Sequence, residues 1–199
     1  MVEEIARADA TTSLIPIVQK LGSLPILLAG NDEQKDRYFP RLASGEWLIA
    51  FGLTEAAAGS DVSANRMRAK RDGDSYLLRG SKRFITHGSV ANVLTVFALT
   101  DPDAGGRKGM SAFIVETDTP GFSSPRLEHK MGIRGSPTAE LNFDDVRVPA
   151  ANRLGDEGDG FKIAMATLDR SRLGIAAQAV GIAQGALDAA VAYAAERAQ

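Results

Sequence analysis

Val93-Leu-Thr-Val-Phe-Ala-Leu99 and Met110-Ser-Ala-Phe-Ile-Val-Glu116 are apolar runs of strand length, separated by the turn signal Asp101-Pro-Asp-Ala-Gly-Gly106. No helical periodicity lies between them, so the spacing favours antiparallel strands over strands joined by a crossover helix. The pattern extends outward on both sides. Tyr76-Leu-Leu78 and Arg83-Phe-Ile-Thr86 read as strands flanking the turn residues Gly80-Ser81, and Asp72-Gly73-Asp74 and Thr119-Pro-Gly121 supply further turns. In 139–148, Leu141 and Phe143 alternate with polar residues, and the phase then flips to Val146 and Val148. A one-residue slip sends side chains to the opposite sheet face, so a bulge is predicted near Asp144-Asp145. Residues 47–155 are thus predicted to form a β-barrel or sandwich.

Helical segments flank this zone, which makes the chain α+β. In 1–46, Val2, Ile5, Ala6 and Asp9 open an amphipathic pattern. Pro16 and Pro25 interrupt the next apolar stretch, predicting two helical pieces. Asn31 followed by Gln34 is a capping-box start, and Pro40 is predicted to end or restart that helix before a turn at Leu42–Glu46. Residues 156–199 read as one long helix. Phe161, Met165, Leu168, Ile175, Ala179, Ala183, Leu187 and Val191 recur at helical spacing, and Gly181 and Gly185 share a face that permits close helix approach. A helix from 160 to 197 is roughly 57 Å long, against a diameter of about 42 Å for a compact domain of this size. Its apolar stripe therefore needs cover from another subunit or from further chain.

Composition narrows the function. The 199 residues are 44% hydrophobic and 24% charged, with 23 basic and 25 acidic side chains and a net charge of −2, which argues against a nucleic-acid binder. The absence of cysteine excludes disulfides, thiolate catalysis and thiolate metal sites, and two histidines are too few for a histidine-rich metal centre. The first residues lack a signal-peptide pattern, and no stretch reads as an uncharged span of about 18 residues, so a cytoplasmic protein with no membrane association is expected. Neither a P-loop nor a nucleophile elbow is present. Gly155-Asp-Glu-Gly-Asp-Gly160 carries three acids that would repel phosphate, and reads as a turn and helix cap. Arg66-Met-Arg-Ala-Lys-Arg71 reads as a solvated face. The loop Thr54-Glu-Ala-Ala-Ala-Gly-Ser-Asp61 sets amides at Gly59 and Ser60 where an anion such as a pyrophosphate can bind, although such loops are also common turns.

Taken in order, these segments resemble the acyl-CoA dehydrogenase family over essentially the whole chain. Leu53–Asp61 resembles its first signature and Gly80-Ser-Lys-Arg-Phe-Ile-Thr86 its flavin-contact strand. Lys130–Ser136 and Phe143–Pro149 resemble later segments, and Gly160-Phe-Lys, Leu168-Asp-Arg-Ser-Arg-Leu173 and Tyr193–Arg197 resemble the first helix of its C-terminal bundle. The resemblance implies part of an N-terminal helical domain (1–46), a middle antiparallel β-barrel (47–155) and the first helix of a C-terminal helical bundle (156–199). It implies FAD as cofactor and an acyl-CoA thioester as substrate. It also implies α,β-dehydrogenation to a trans-2-enoyl-CoA with a glutamate as base, an electron-transfer flavoprotein as acceptor, and a homodimer or homotetramer.

By that resemblance Phe51, Leu53 and Thr54 line the flavin ring, Gly59 and Ser60 meet the pyrophosphate, and Ser60 also lies near the thioester. Phe84 packs on the flavin with Ile85 and Thr86 beside N5. Asp169, Arg170, Ser171 and Arg172 contact acyl-CoA, Lys108 lies near the CoA, and Arg197 and Gln199 reach FAD across a dimer. Three departures stand out. Ala56 and Ala57 replace Pro and Gly of the signature, which strains Ala57 if that position needs a positive φ. His87 replaces an Asn and reads as a turn residue rather than a catalytic one. Ser171 stands where a minority of the family carry the catalytic glutamate, so no catalytic base is assigned, and the chain alone is expected not to dehydrogenate acyl-CoA. A non-catalytic flavin-binding remnant, an acyl-CoA oxidase and a nitroalkane oxidase relative are the alternatives.

Overall fold

A computed structural model describes residues 1–199. The chain runs through helices α1 (Val2–Ala8), α2 (Leu14–Ala29) and α3 (Asp32–Ser44), then strands β1 (Ile49–Gly52), β2 (Arg68–Asp72), β3 (Ser75–Thr86) and β4 (Val93–Leu99). The short helix α4 (Gly105–Lys108) leads to β5 (Met110–Glu116), β6 (Phe122–Leu127), β7 (Thr138–Pro149), β8 (Arg153–Leu154) and the long helix α5 (Gly160–Glu196).

The strands form one sheet in the order β6-β7-β3-β2-β4-β5-β8, with β1 added beside β4. β4 and β5 pair antiparallel from Val93↔Glu116 to Leu99↔Met110. The sheet is not wholly antiparallel as expected: β1 runs parallel to β4, and β2 meets β4 in parallel at Arg68↔Leu99. β1 and β2 are joined by the long loop 53–67 rather than a hairpin, which frees them from the antiparallel direction.

β4 is buried on both faces, and that is why it reads as a continuous apolar run. Leu94, Val96 and Ala98 face one core with Phe113, Tyr76, Leu78, Leu141 and Val146. Val93, Phe97 and Leu99 face a second core with Ile114, Ile26, Tyr38, Leu42, Ile163 and Ala164. The sheet thus curls around the first core while α2, α3 and the start of α5 cover its outer face.

Between Leu78↔Val146 and Gly80↔Phe143, β7 carries one extra residue opposite β3. Asp145 takes φ 51° there, as the phase flip predicted, and Arg79 reaches its carboxylate at 2.6 Å. Gly80–Ser81 is not a turn. β3 runs unbroken through it, and Gly80 at φ 143° has no room for a Cβ, which would lie about 3.0 Å from Met67. A second bulge follows between Lys82↔Leu141 and Ile85↔Ala139, with the extra residue now on β3. It restores the register and holds Phe84 at φ 56°.

The prolines do less than the sequence suggests. α2 is one helix with Pro16 in its first turn, where a missing N–H costs nothing, and with Pro25 buried inside it. α3 passes through Pro40 because Tyr38 and Leu42 are buried on either side of it, and it ends at Gly45 in the left-handed conformation. Its capping box is formed: the Gln34 N–H donates to Asn31 Oδ1 at 2.8 Å and the Asn31 N–H to Gln34 Oε1 at 3.0 Å. At the start of α5 the 155–160 segment is a turn, and Asp159 makes no side-chain cap bond. His87 is a turn residue at φ 61°, with its N–H donating to Pro137 O.

α5 is continuous over 37 residues. Its glycines admit α1: a Cβ on Gly181 would lie 2.2 Å from Glu3 O, and one on Gly185 2.4 Å from Arg7 O. Gln178 Nε2 donates to Ser13 Oγ and Ala10 O, and Arg7 Nε reaches Asp188 at 2.6 Å. Leu173, Ile175, Leu187 and Val191 remain exposed on the other side. An 18-residue window of α5 has mean hydropathy 1.4, which by length and composition alone suffices to cross a membrane. Ala, Val, Ile and Leu raise the mean despite Gln178, Gln184 and the charged Asp188.

Candidate functional site

Three pieces of chain meet beside the second core. β1 continues into the loop 53–67, β3 presents its second bulge, and α2 and α5 close the rim. They enclose a cavity of about 330 Å³. Eight residues selected from the sequence line it: Phe51, Leu53, Thr54, Gly59 and Ser60 from β1 and its loop, and Phe84, Ile85 and Thr86 from β3. Val18, Leu21, Val62 and Leu168 complete the wall. The helical spacing of Leu168 was legible as core, but its position on the cavity rim was not.

Phe84 gives the cavity its most telling feature. Its side chain is 63% exposed although it borders an apolar space. Its backbone sits in the left-handed region, which costs a non-glycine residue about 1–2 kcal/mol. A phenyl ring left uncovered on a strained backbone beside a cavity is poor for stability, and such strain concentrates at ligand sites. Opposite it, the N–H groups of Gly59 and Ser60 make no hydrogen bond within the chain. Both residues are exposed, so the amides are free to bind an anion. Ala56 and Ala57 form a tight turn closed by Glu55 N–H to Ala58 O at 3.0 Å and Ala58 N–H to Glu55 O at 3.2 Å. Neither has a positive φ, so the strain considered for Ala57 does not arise.

The loop is anchored from beneath by a buried cation that the sequence reading did not single out. Lys82 is fully buried, and its Nζ donates to Leu53 O at 3.1 Å, Glu55 Oε1 at 2.8 Å and Asn65 Oδ1 at 2.7 Å. Burial pushes its ammonium down to about 8, and the Glu55 carboxylate opposes that shift. Glu55 also accepts the N–H groups of Arg66 and Met67. The available signal was the strand alternation, which places Lys82 inward in phase with Tyr76 and Leu78.

The remaining residues lie outside the cavity. Asp169, Arg170, Ser171 and Arg172 follow Leu168 around α5; Arg172 pairs with Asp169 at 3.1 Å and Ser171 Oγ donates to Leu168 O. Lys108 is exposed at the end of α4, which packs through Gly106 against Ser63 of the loop. Arg197 and Gln199 lie past the end of α5, roughly 40 Å along the helix from Leu168, and do not approach this chain's own cavity. None of the twelve lining residues is acidic, and no group of histidine, cysteine and acidic residues forms a metal site.

The chain matches the acyl-CoA dehydrogenase N-terminal domain over residues 1–46, the middle domain over 50–146 and the C-terminal domain over 158–199. Among curated relatives it is 51% identical over 199 residues to a probable acyl-CoA dehydrogenase of Mycobacterium leprae (strain TN), covering all of this chain and 51% of that protein. It superimposes on butyryl-CoA dehydrogenase from Megasphaera elsdenii with TM-score 0.96 and 48% identity, covering all of this chain and 52% of that one. A glutaryl-CoA dehydrogenase from Mycobacterium smegmatis in complex with FADH2 gives TM-score 0.91 and 38% identity, with all of this chain and 50% of that one covered. The chain therefore spans about half the length of the relatives it matches.

Proposed function

The chain belongs to the acyl-CoA dehydrogenase family, and from that premise we propose that it forms the flavin- and thioester-handling part of an FAD-dependent acyl-CoA dehydrogenase. The observation that carries this reading is Phe84, an exposed aromatic plane held on a strained backbone at the mouth of an apolar cavity. Stacking against a flat ring would return the contact area that its exposure forfeits. The unbonded amides of Gly59 and Ser60 suit the pyrophosphate of the same dinucleotide.

In this reading the middle unit, 47–155, presents the flavin floor. The N-terminal unit, 1–46, supplies Val18 and Leu21 as rim, and the C-terminal unit, 156–199, supplies Leu168. FAD, when bound, supplies the hydride-accepting chemistry for oxidising an acyl-CoA to its trans-2-enoyl form. Phe84, Ile85, Phe51 and Leu53 exclude water from the ring, and the hydroxyls of Thr54 and Thr86 orient its polar edge. Ser60 stands where one hydroxyl can serve cofactor and thioester alike. The surface at Asp169–Arg172 and Lys108 carries charge of both signs for the CoA moiety. No base is assigned among these residues. Arg197 and Gln199 belong to a neighbouring subunit's FAD in a homodimer or homotetramer. A cytoplasmic location, α5 as a bundle helix rather than a membrane span, and an electron-transfer flavoprotein as acceptor complete the proposal.

The test is a titration of the chain with FAD, read by flavin fluorescence and by the visible absorption bands. Quenching and a band shift in the wild type, with both lost in Phe84→Ala, support the reading. Equal signals from wild type and Phe84→Ala refute it.

A further inference from the structure

The loop that carries Gly59 and Ser60 has no regular structure between Gly52 and Val62, yet its free amides must hold a fixed distance from Phe84 to serve one ligand. We propose that Lys82 is the positioning residue that sets this distance, clamping the anion-binding loop to the aromatic strand through a single buried ammonium. The proposal rests on the reading that the cavity takes a flavin dinucleotide.

The three acceptors of Lys82 lie at both ends of the loop. Leu53 O and Glu55 Oε1 belong to the start of the loop, and Asn65 Oδ1 belongs to its end. An ammonium has three donors, and here all are spent on the loop. Glu55 closes the circuit: its carboxylate also accepts Arg66 N–H at 2.7 Å and Met67 N–H at 3.0 Å, tying the first residues of the loop to the last. A backbone bond from Arg83 N–H to Thr54 O at 2.8 Å lies alongside. Lys82 and Arg83 immediately precede Phe84, so the strand that offers the aromatic plane also grips the loop that offers the amides.

A lysine without solvent exposure is a poor choice for stability alone. Desolvation of a buried ion pair commonly cancels its attraction, and well-packed apolar residues of similar volume serve as well or better. What an apolar pair cannot do is bond three specific acceptors in a segment that lacks its own hydrogen-bond ladder. The lysine therefore adds directional bonds to a loop that the two cores hold only through Leu53, Val62 and Met67. Electrostatics agrees with the placement, since burial pulls the ammonium down while Glu55 holds it charged.

The experiment compares wild type, Lys82→Met and the double variant Lys82→Met/Glu55→Gln. The double variant removes both charges, and the substituted glutamine side chain retains one carbonyl for the loop amides, so no unpaired buried charge is left even where the single variant fails to fold. Amide hydrogen exchange is followed without ligand over residues 54–66, with 76–79 and 93–99 as internal references, and FAD affinity is measured by fluorescence. The expected result for the double variant is exchange at least tenfold faster in 54–66, unchanged exchange in both references, and FAD affinity at least tenfold weaker. A merely structural lysine would speed all three segments together or none. Unchanged exchange in 54–66 overturns the clamp, and faster exchange with wild-type FAD affinity overturns its role in positioning. A wild-type chain that gives no flavin signal refutes the flavin reading instead, while the exchange data still decide whether Lys82 holds the loop.

Discussion

Three glycines in α5 make opposite predictions for one chemical change. Gly→Ala inside a helix is worth up to about 1 kcal/mol in its favour, because alanine loses less backbone entropy on folding. At Gly174 that gain should be realised, since the added Cβ would meet Ile17 at 3.5 Å, an ordinary contact. At Gly181 the same Cβ would stand 2.2 Å from Glu3 O and 2.8 Å from Ala6 Cβ, and Gly185 is as tightly placed against Arg7 O at 2.4 Å. Ordinary contact begins near 3.4 Å, so α1 must retreat by more than 1 Å. That retreat strains the bonds from Gln178 to Ala10 and Ser13 and from Arg7 to Asp188. Overpacking of this kind costs about 1–3 kcal/mol, which outweighs the propensity gain. At about 2–4 °C for each kcal/mol in a chain of this size, Gly174→Ala should raise Tm by a few degrees. Gly181→Ala should lower it by a similar or larger amount and speed amide exchange in Val2–Ala8. Calorimetry and exchange on the two variants decide the matter. If Gly181→Ala stabilises as much as Gly174→Ala, with α1 exchange unchanged, the close approach of α1 to α5 is refuted.

Other outcomes follow from the same geometry. Phe84→Gly should relieve the left-handed backbone and raise stability by about 1 kcal/mol while abolishing flavin quenching; urea unfolding and fluorescence on one preparation test the trade directly. Asn31→Ala removes the cap bond to Gln34 at 2.8 Å and should cost about 1 kcal/mol in chemical denaturation. Lys82 is held near 8 when folded, below the ordinary 10.5 of the unfolded chain. Below 8 the full cost of burying its charge is present; between about 8 and 10.5 the unfolded chain binds more protons, so this group makes stability rise with pH. Wild type should therefore gain on Lys82→Met/Glu55→Gln across that interval in urea melts, and a falling difference would contradict the assignment.

The flanking helices and strands β4, β5 and β7 were legible because burial on two faces writes long apolar runs, as in β4, and burial on one face writes alternation, as in β7, whereas the short or exposed β1, β2 and β6 write neither pattern. The bulge at Asp144–Asp145 was legible because apolar residues on both sides of it change phase. The bulge at Arg83–Phe84 was not, since too few residues follow it in β3 to show the flip. Pro25, Pro40 and Gly80–Ser81 misled because local breaker signals were outweighed by the burial of Pro25 with Leu24 and Ile26, by the burial of Tyr38 and Leu42 beside Pro40, and by the pairing of Gly80 and Ser81 with β7. At the site, the ordered signatures picked out eight of the cavity's residues. They could not reveal Lys82 as the anchor, because its partners Leu53, Glu55 and Asn65 lie 17 to 29 residues away along the chain. Arg197 and Gln199 stand apart for a plain geometric reason: a continuous helix carries them away from the cavity that Leu168 borders.

The most direct test of the central claim is a crystal structure of the chain grown with FAD. The flavin ring should stack on Phe84 in the cavity between β3 and the loop, with pyrophosphate oxygens about 3 Å from the amides of Gly59 and Ser60. A dinucleotide bound elsewhere, or electron density showing that cavity filled by the chain's own side chains, would contradict it.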